Sequence, residues 1–189
     1  MDWTWREIDD LEAQRRYVQA LNQMYDTWQE EPLNLKVFLR LSFLVWYLLV
    51  ENISFSDTED LKSVVEDSDE LDSFLKELEA YGKTHFQQHP EFLWIYGYMT
   101  YMFPEFFAEG DDRIATEMYK KAYDLQPNDP VIKMLYFEML YFANMYDYTN
   151  SPPLGTVRED AGKTVTERFQ GDGKFQDYFR HVLNRNSRS

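Results

Sequence analysis

The chain has 189 residues and a mass of 22.8 kDa, enough for one domain that withdraws roughly 70% of its unfolded surface from water. Hydrophobic residues make up 44%, which excludes a disordered acidic tail, and the absence of cysteine excludes disulfides and thiolate chemistry. Against 19 Lys+Arg stand 34 Asp+Glu, a net charge of −15, which argues against nucleic acid as a direct ligand because phosphate contacts dominate that affinity.

The N-terminal residues Met1 to Glu7 have no apolar run, which predicts no secretory signal and a cytoplasmic protein. Ile8, Leu11, Val18, Leu21, Tyr25 and Trp28 fall on one helical stripe, predicting a single helix over about 5–29 that ends before Pro32. A second helix over about 33–52 is apolar nearly all round. Its run from Leu35 to Val50 contains Lys36 and Arg40 and falls short of the ~20 residues of a membrane span, so it reads as the central buried helix.

Ser56 and Glu59 have capping-box spacing at the start of a third helix, which pauses at Glu66-Asp67-Ser68-Asp69-Glu70. It resumes with Leu71, Phe74, Leu75, Leu78 and Tyr81 on one face. A fourth helix is predicted from Pro90 to about Met102, with proline in the first turn where the missing amide costs least. A fifth covers about 113–125 and a sixth about 131–146, separated by the Pro127-Asn128-Asp129-Pro130 turn. After the loop Thr149 to Gly155, short helices near 160–169 and 175–183 show thin apolar stripes, and the last six residues should fray. Nothing alternates with period two. The expectation is therefore an all-α fold of about 6–8 helices in packed antiparallel hairpins: an acidic helical domain over 1–148, then a segment over 149–189 packed on it or extending from it.

Residues 91–130 resemble a tetratricopeptide repeat, a helix–turn–helix unit of about 34 residues. Ala115, Tyr119, Ala122 and Pro127 take the small, aromatic, small and proline positions of its second helix, and Trp94, Gly97 and Tyr101 echo the first. Phe103 to Phe107 reads as an insertion at the inter-helix turn, and Phe137 stands where a following repeat would have glycine. The resemblance implies a right-handed helical array whose concave face binds peptides or proteins without catalysis. The family's clamp for a C-terminal carboxylate is not implied: only Lys133 and Asn144 suggest it, and the net charge opposes an anionic ligand.

The remaining motifs carry little chemistry. His85 and His89 are spaced i,i+4, yet His89 precedes Pro90, which disfavours a helical zinc pair and favours an imidazole at a helix end. Gly171-Asp172-Gly173-Lys174 lacks the remaining residues of a phosphate loop and reads as a flexible turn. The acids at 66–72 lack the glycine of an EF-hand. No catalytic residue, metal ligand or cofactor is predicted, and no enzyme.

Charge is the sharper signal. Between Glu51 and Glu79 lie eleven acidic and two basic residues, whereas from Arg158 onward seven basic residues meet five acidic ones. So dense a cluster can steer a basic partner, with aromatic side chains such as Trp3, Trp5, Tyr98, Tyr101, Phe106 and Phe107 as possible anchors. The predicted partner-binding residues are Glu66, Asp67, Asp69, Glu70, Asp72, Phe106 and Phe107. The expected function is that of an immunity or inhibitor protein neutralising a basic toxin, a nuclease in the first instance, without touching nucleic acid or membrane. The alternative is a tetratricopeptide-type adaptor or chaperone holding a peptide in its groove.

Overall fold

Residues 1–54, 68–108, 110–143, 145, 147, 149 and 151–185 are described in a computed structural model, and all the regular structure among them is helical. No helix among them is long and apolar enough to cross a membrane.

The first departure from expectation comes early. The helix expected over 5–29 is two: α1 (Arg6–Ala13) and α2 (Tyr17–Glu30). Arg15 sits between them at φ 57, in the left-handed region, where the Arg16 amide donates to the Leu11 carbonyl and the Arg15 amide to that of Glu12. This is the Schellman closure of a helix end, made here without its usual glycine. The break separates two buried faces, Ile8, Asp9 and Glu12 on α1 and Ala20 and Met24 on α2, and it leaves Val18 exposed.

Helix α3 (Leu35–Ser54) is the hub, with every residue from Val37 to Trp46 buried. Two of those residues are polar and both are bonded. Ser42 Oγ donates to the Phe38 carbonyl at 2.8 Å and accepts from the Tyr96 hydroxyl at 2.8 Å. Helices α4 (Ser68–His85) and α5 (Pro90–Met102) both pack on α3. A Cβ on Gly82 of α4 would lie 2.4 Å from the Phe92 ring and 2.8 Å from that of Phe38, so three helices meet at a point open only to glycine.

After a 3-10 turn over Pro104–Phe106 come α6 (Asp112–Leu125) and α7 (Pro130–Phe142). Asp111 and Asp129 cap them, each carboxylate accepting two backbone amides of the first turn. A Cβ on Gly97 of α5 would lie 3.4 Å from the Ala115 carbonyl of α6 and 3.3 Å from Met118 Cβ, so the two helices pack closely here.

Helices α8 (Leu154–Arg168) and α9 (Lys174–Arg185) were expected to carry thin apolar stripes. The stripes are narrow but wholly buried: Val157, Ala161, Val165 and Phe169 at four-residue steps, then Phe175, Phe179 and Leu183. Phe175 lies 4.6 Å from Trp3 and Phe179 lies 5.1 Å from Trp94, ring centroid to centroid. Helix α9 also packs on α1 and α3, so the last helix closes onto the first.

Candidate functional site

The acids of the 51–79 cluster divide by structural role. Glu66 and Asp67 lie outside the described residues. Asp69 and Glu70 are exposed in the first turn of α4, where the positive end of the helix dipole favours them. Asp72 is half-buried and pairs with Lys76 at 2.6 Å. Glu79 is buried, bonded to Lys83 at 2.9 Å and to the Ala108 amide at 2.9 Å, so it holds the 3-10 segment against α4. That leaves Asp69, Glu70 and Glu77 exposed and without an ion pair among the described residues.

The aromatic candidates separate as well. Phe107, expected on a contact surface, packs into the core beside Tyr96, because the chain must turn inward after Pro104–Phe106 to reach α6. Phe106 is half-buried against Phe103 with ring centroids 6.0 Å apart. Trp3 is buried, whereas Tyr98 and Tyr101 line a cavity described below.

Two motifs of ambiguous chemistry resolve into structure. His85 ends α4 and packs on Tyr81 with ring centroids 4.2 Å apart, while His89 lies in extended backbone, so the two do not share a helix face. No group of three or more His, Asp or Glu among the described residues is placed to hold a metal ion. The Gly171–Lys174 turn, expected to be flexible, is clamped: the Lys174 amide donates to Glu12 Oε2 at 2.6 Å, and a Cβ on Gly173 would lie 2.1 Å from Asp9 Oδ1.

That clamp belongs to a buried charge network centred on Arg40. Its Nη1 donates to the Trp3 carbonyl at 2.8 Å, Asp9 Oδ1 at 2.9 Å and Gln176 Oε1 at 3.2 Å, and its Nη2 donates to Glu12 Oε2 at 3.0 Å. One cation thus faces two carboxylates away from water, a net charge of −1. Burial outweighs the attraction of Arg40 and raises the Glu12 carboxyl above the ordinary carboxylate range. The network joins α1, α3 and α9. It is closed to solvent at Arg40 and fastens these three helices together.

A concavity lined mainly by aromatic and aliphatic side chains lies elsewhere. A cavity of about 250 Å³ opens between the carboxyl ends of α5, α7 and α9, with the middle of α6 as its back wall. Tyr98, Tyr101 and Met102 come from α5, Tyr119 from α6, Leu135, Glu138, Met139 and Phe142 from α7, and Val182 and Leu183 from α9. Neither α5 nor α7 has a basic residue in its last turn, so the partial negative charge of their terminal carbonyls is not offset from within. Glu138 is bonded to Arg158 Nε at 2.8 Å. Tyr98 and Tyr178 share a hydroxyl–hydroxyl bond of 3.1 Å.

Tyr119 is 2% exposed, and burial followed by the nearby Glu138 carboxylate pushes its phenol well above the ordinary value. At the mouth, Phe142 is 61% exposed, with Met102 and Tyr141 exposed beside it. Sequence reasoning found Tyr98 and Tyr101 as possible anchors but missed Phe142 and Glu138, whose only signal is their place at the end of an apolar helix. No family model, no curated protein and no solved structure matches this chain.

Proposed function

We propose that this protein is an acidic inhibitor that binds a basic protein partner, most specifically a toxin nuclease domain, and neutralises it by covering its nucleic-acid-binding surface with carboxylates. The observation that carries the reading is the uneven charge. Of a net −15, the dense part lies at 51–79, and there Asp69, Glu70 and Glu77 stand exposed without ion pairs among the described residues. Ion pairs occupy Asp72 and Glu79, which are bonded to Lys76 and Lys83, whereas Asp69 and Glu70 suit the helix dipole yet still present their charge to solvent, as does Glu77. Exposed like charges at this density raise the association rate of a basic partner and discriminate against acidic surfaces.

The test is the rate of association with the native partner, captured on the immobilised protein. Changing Asp67, Asp69, Glu70 and Asp72 together to Asn or Gln should slow association by about tenfold or more at low salt. An unchanged rate returns the cluster to a solubility role. The adaptor reading draws on the close Gly97–Ala115 approach of α5 and α6, which resembles the small-residue contact of a tetratricopeptide hairpin. It predicts peptide binding that is indifferent to salt.

A further inference from the structure

We propose that the cavity between the carboxyl ends of α5, α7 and α9 receives a cationic side chain, an arginine, presented by the basic protein partner. The inference rests on the inhibitor reading for its partner and on the cavity's own chemistry for its ligand. At about 250 Å³ the space is below the range of cofactor and drug-sized sites and suits one long side chain. Its walls supply three tyrosine rings and Phe142, whose faces attract a cation, and a planar guanidinium stacks on such faces better than an ammonium does.

Leu135, Met139 and Val182 give the aliphatic stem an apolar wall. The carbonyl ends of α5 and α7 carry no basic residue of their own and point the same sign of potential at the space. Glu138 is balanced by Arg158, so it steadies the wall without supplying the attraction. The Tyr119 hydroxyl is the independent indication of a ligand. It lines the cavity on a residue only 2% exposed, takes part in no hydrogen bond among the described residues, and can accept one from a guanidinium N–H. Phe142, exposed at the mouth, is placed to cover one side of the bound group.

The probe is N-acetyl-arginine amide, titrated into the full chain while the backbone amide resonances of Tyr101, Met102, Phe142 and Leu183 are followed by NMR. N-acetyl-citrulline amide, the uncharged isostere, and N-acetyl-leucine amide serve as comparisons. The arginine probe should move those four resonances and bind about three- to fivefold more tightly than citrulline, as expected of a partly desolvated cation–π contact. Phe142→Ala, at an exposed position, should weaken the arginine probe by a similar factor while leaving the fold intact. Tyr119→Phe should reduce the preference for arginine over leucine without loss of stability. Equal binding of arginine and citrulline, or tighter binding of leucine, overturns the cationic assignment, as does the absence of any shift at these residues.

With the native partner, Phe142→Ala should raise the dissociation rate by at least about threefold. If a basic partner binds in a salt-dependent way and Phe142→Ala leaves its dissociation unchanged, the cavity is not the docking point although the inhibitor reading stands. If the arginine probe enters but the native partner proves acidic, the inhibitor reading falls and the cation site stands.

Discussion

Replacing Arg40 with Met should be among the most damaging substitutions this fold can suffer, and the structure shows why. The methionine fills most of the arginine stem, so little cavity is created. The hydrogen bonds lost are four, and three of their four acceptors keep another donor; only the buried Gln176 side-chain oxygen loses its one partner. The Trp3 carbonyl keeps the Gln176 side-chain amide at 3.2 Å, Asp9 Oδ1 keeps the same amide at 3.3 Å, and Glu12 Oε2 keeps the Lys174 backbone amide at 2.6 Å. What remains is charge: two buried carboxylates with no cation where there had been one. Removing one partner of a buried ion pair costs about 3–5 kcal/mol. At about 2–4 °C per kcal/mol for a chain of this size, the melting temperature should fall by about 6–20 °C. Urea denaturation followed by tryptophan fluorescence reads the loss directly, because Trp3 lies beside the network. The companion variant Arg40→Met with Asp9→Asn and Glu12→Gln removes all three charges and should recover more than half of the loss. A single-variant cost below about 1 kcal/mol, or a triple variant no better than the single, refutes the electrostatic explanation.

The same network has a pH signature. The Glu12 carboxyl is raised by burial, so the folded protein holds that proton more tightly than the unfolded chain. Its stabilising contribution is complete below the ordinary value of 4.5 and is lost as pH rises through the raised one. The stability of the wild type relative to Glu12→Gln should therefore decline with rising pH across that window, as measured by urea titrations at fixed pH. A difference independent of pH contradicts the assignment. Arg15→Gly should stabilise the protein by about 1 kcal/mol, since a residue with a Cβ is disfavoured at φ 57, and thermal denaturation will show a rise where the account holds. Gly82→Ala should cost about 1–3 kcal/mol, because the new methyl meets two packed rings, Phe92 and Phe38; a neutral result means that α4 can slide away from α5.

Some of this was legible in the sequence, in proportion to how local the cause is. Pro90 and Met102 bound α5 as expected, because proline in the first turn and Phe103-Pro104 after the last are signals within a few residues of the helix itself. The all-α class followed from periodicity alone. The break at Arg15 was not visible, because the left-handed residue there is an arginine and the apolar stripe runs on through it. Arg40 was noticed as an oddity in an apolar run. Its partners Asp9, Glu12 and Gln176 lie 31, 28 and 136 residues away, and that pairing exists only once α9 has closed on α1. The Gly171–Lys174 turn was underrated for the same reason: its rigidity comes from carboxylates at the other end of the chain. The acidic cluster was found by counting, but counting could not separate Glu79, which holds a loop, from Asp69 and Glu70, which face solvent. Two of the ten residues lining the cavity, Tyr98 and Tyr101, were flagged as possible anchors; that they converge with the others at helix ends is a property of packing.

The central claim is that exposed carboxylates bind a basic protein, and the most direct measurement is the affinity for the captured native partner as a function of salt. Between about 0.05 and 0.5 M the screening length shrinks from above 10 Å to about 4 Å. The account predicts a partner rich in Lys and Arg whose association slows at least about tenfold over that range, with dissociation changing far less. An acidic partner, or an affinity indifferent to salt, would contradict it.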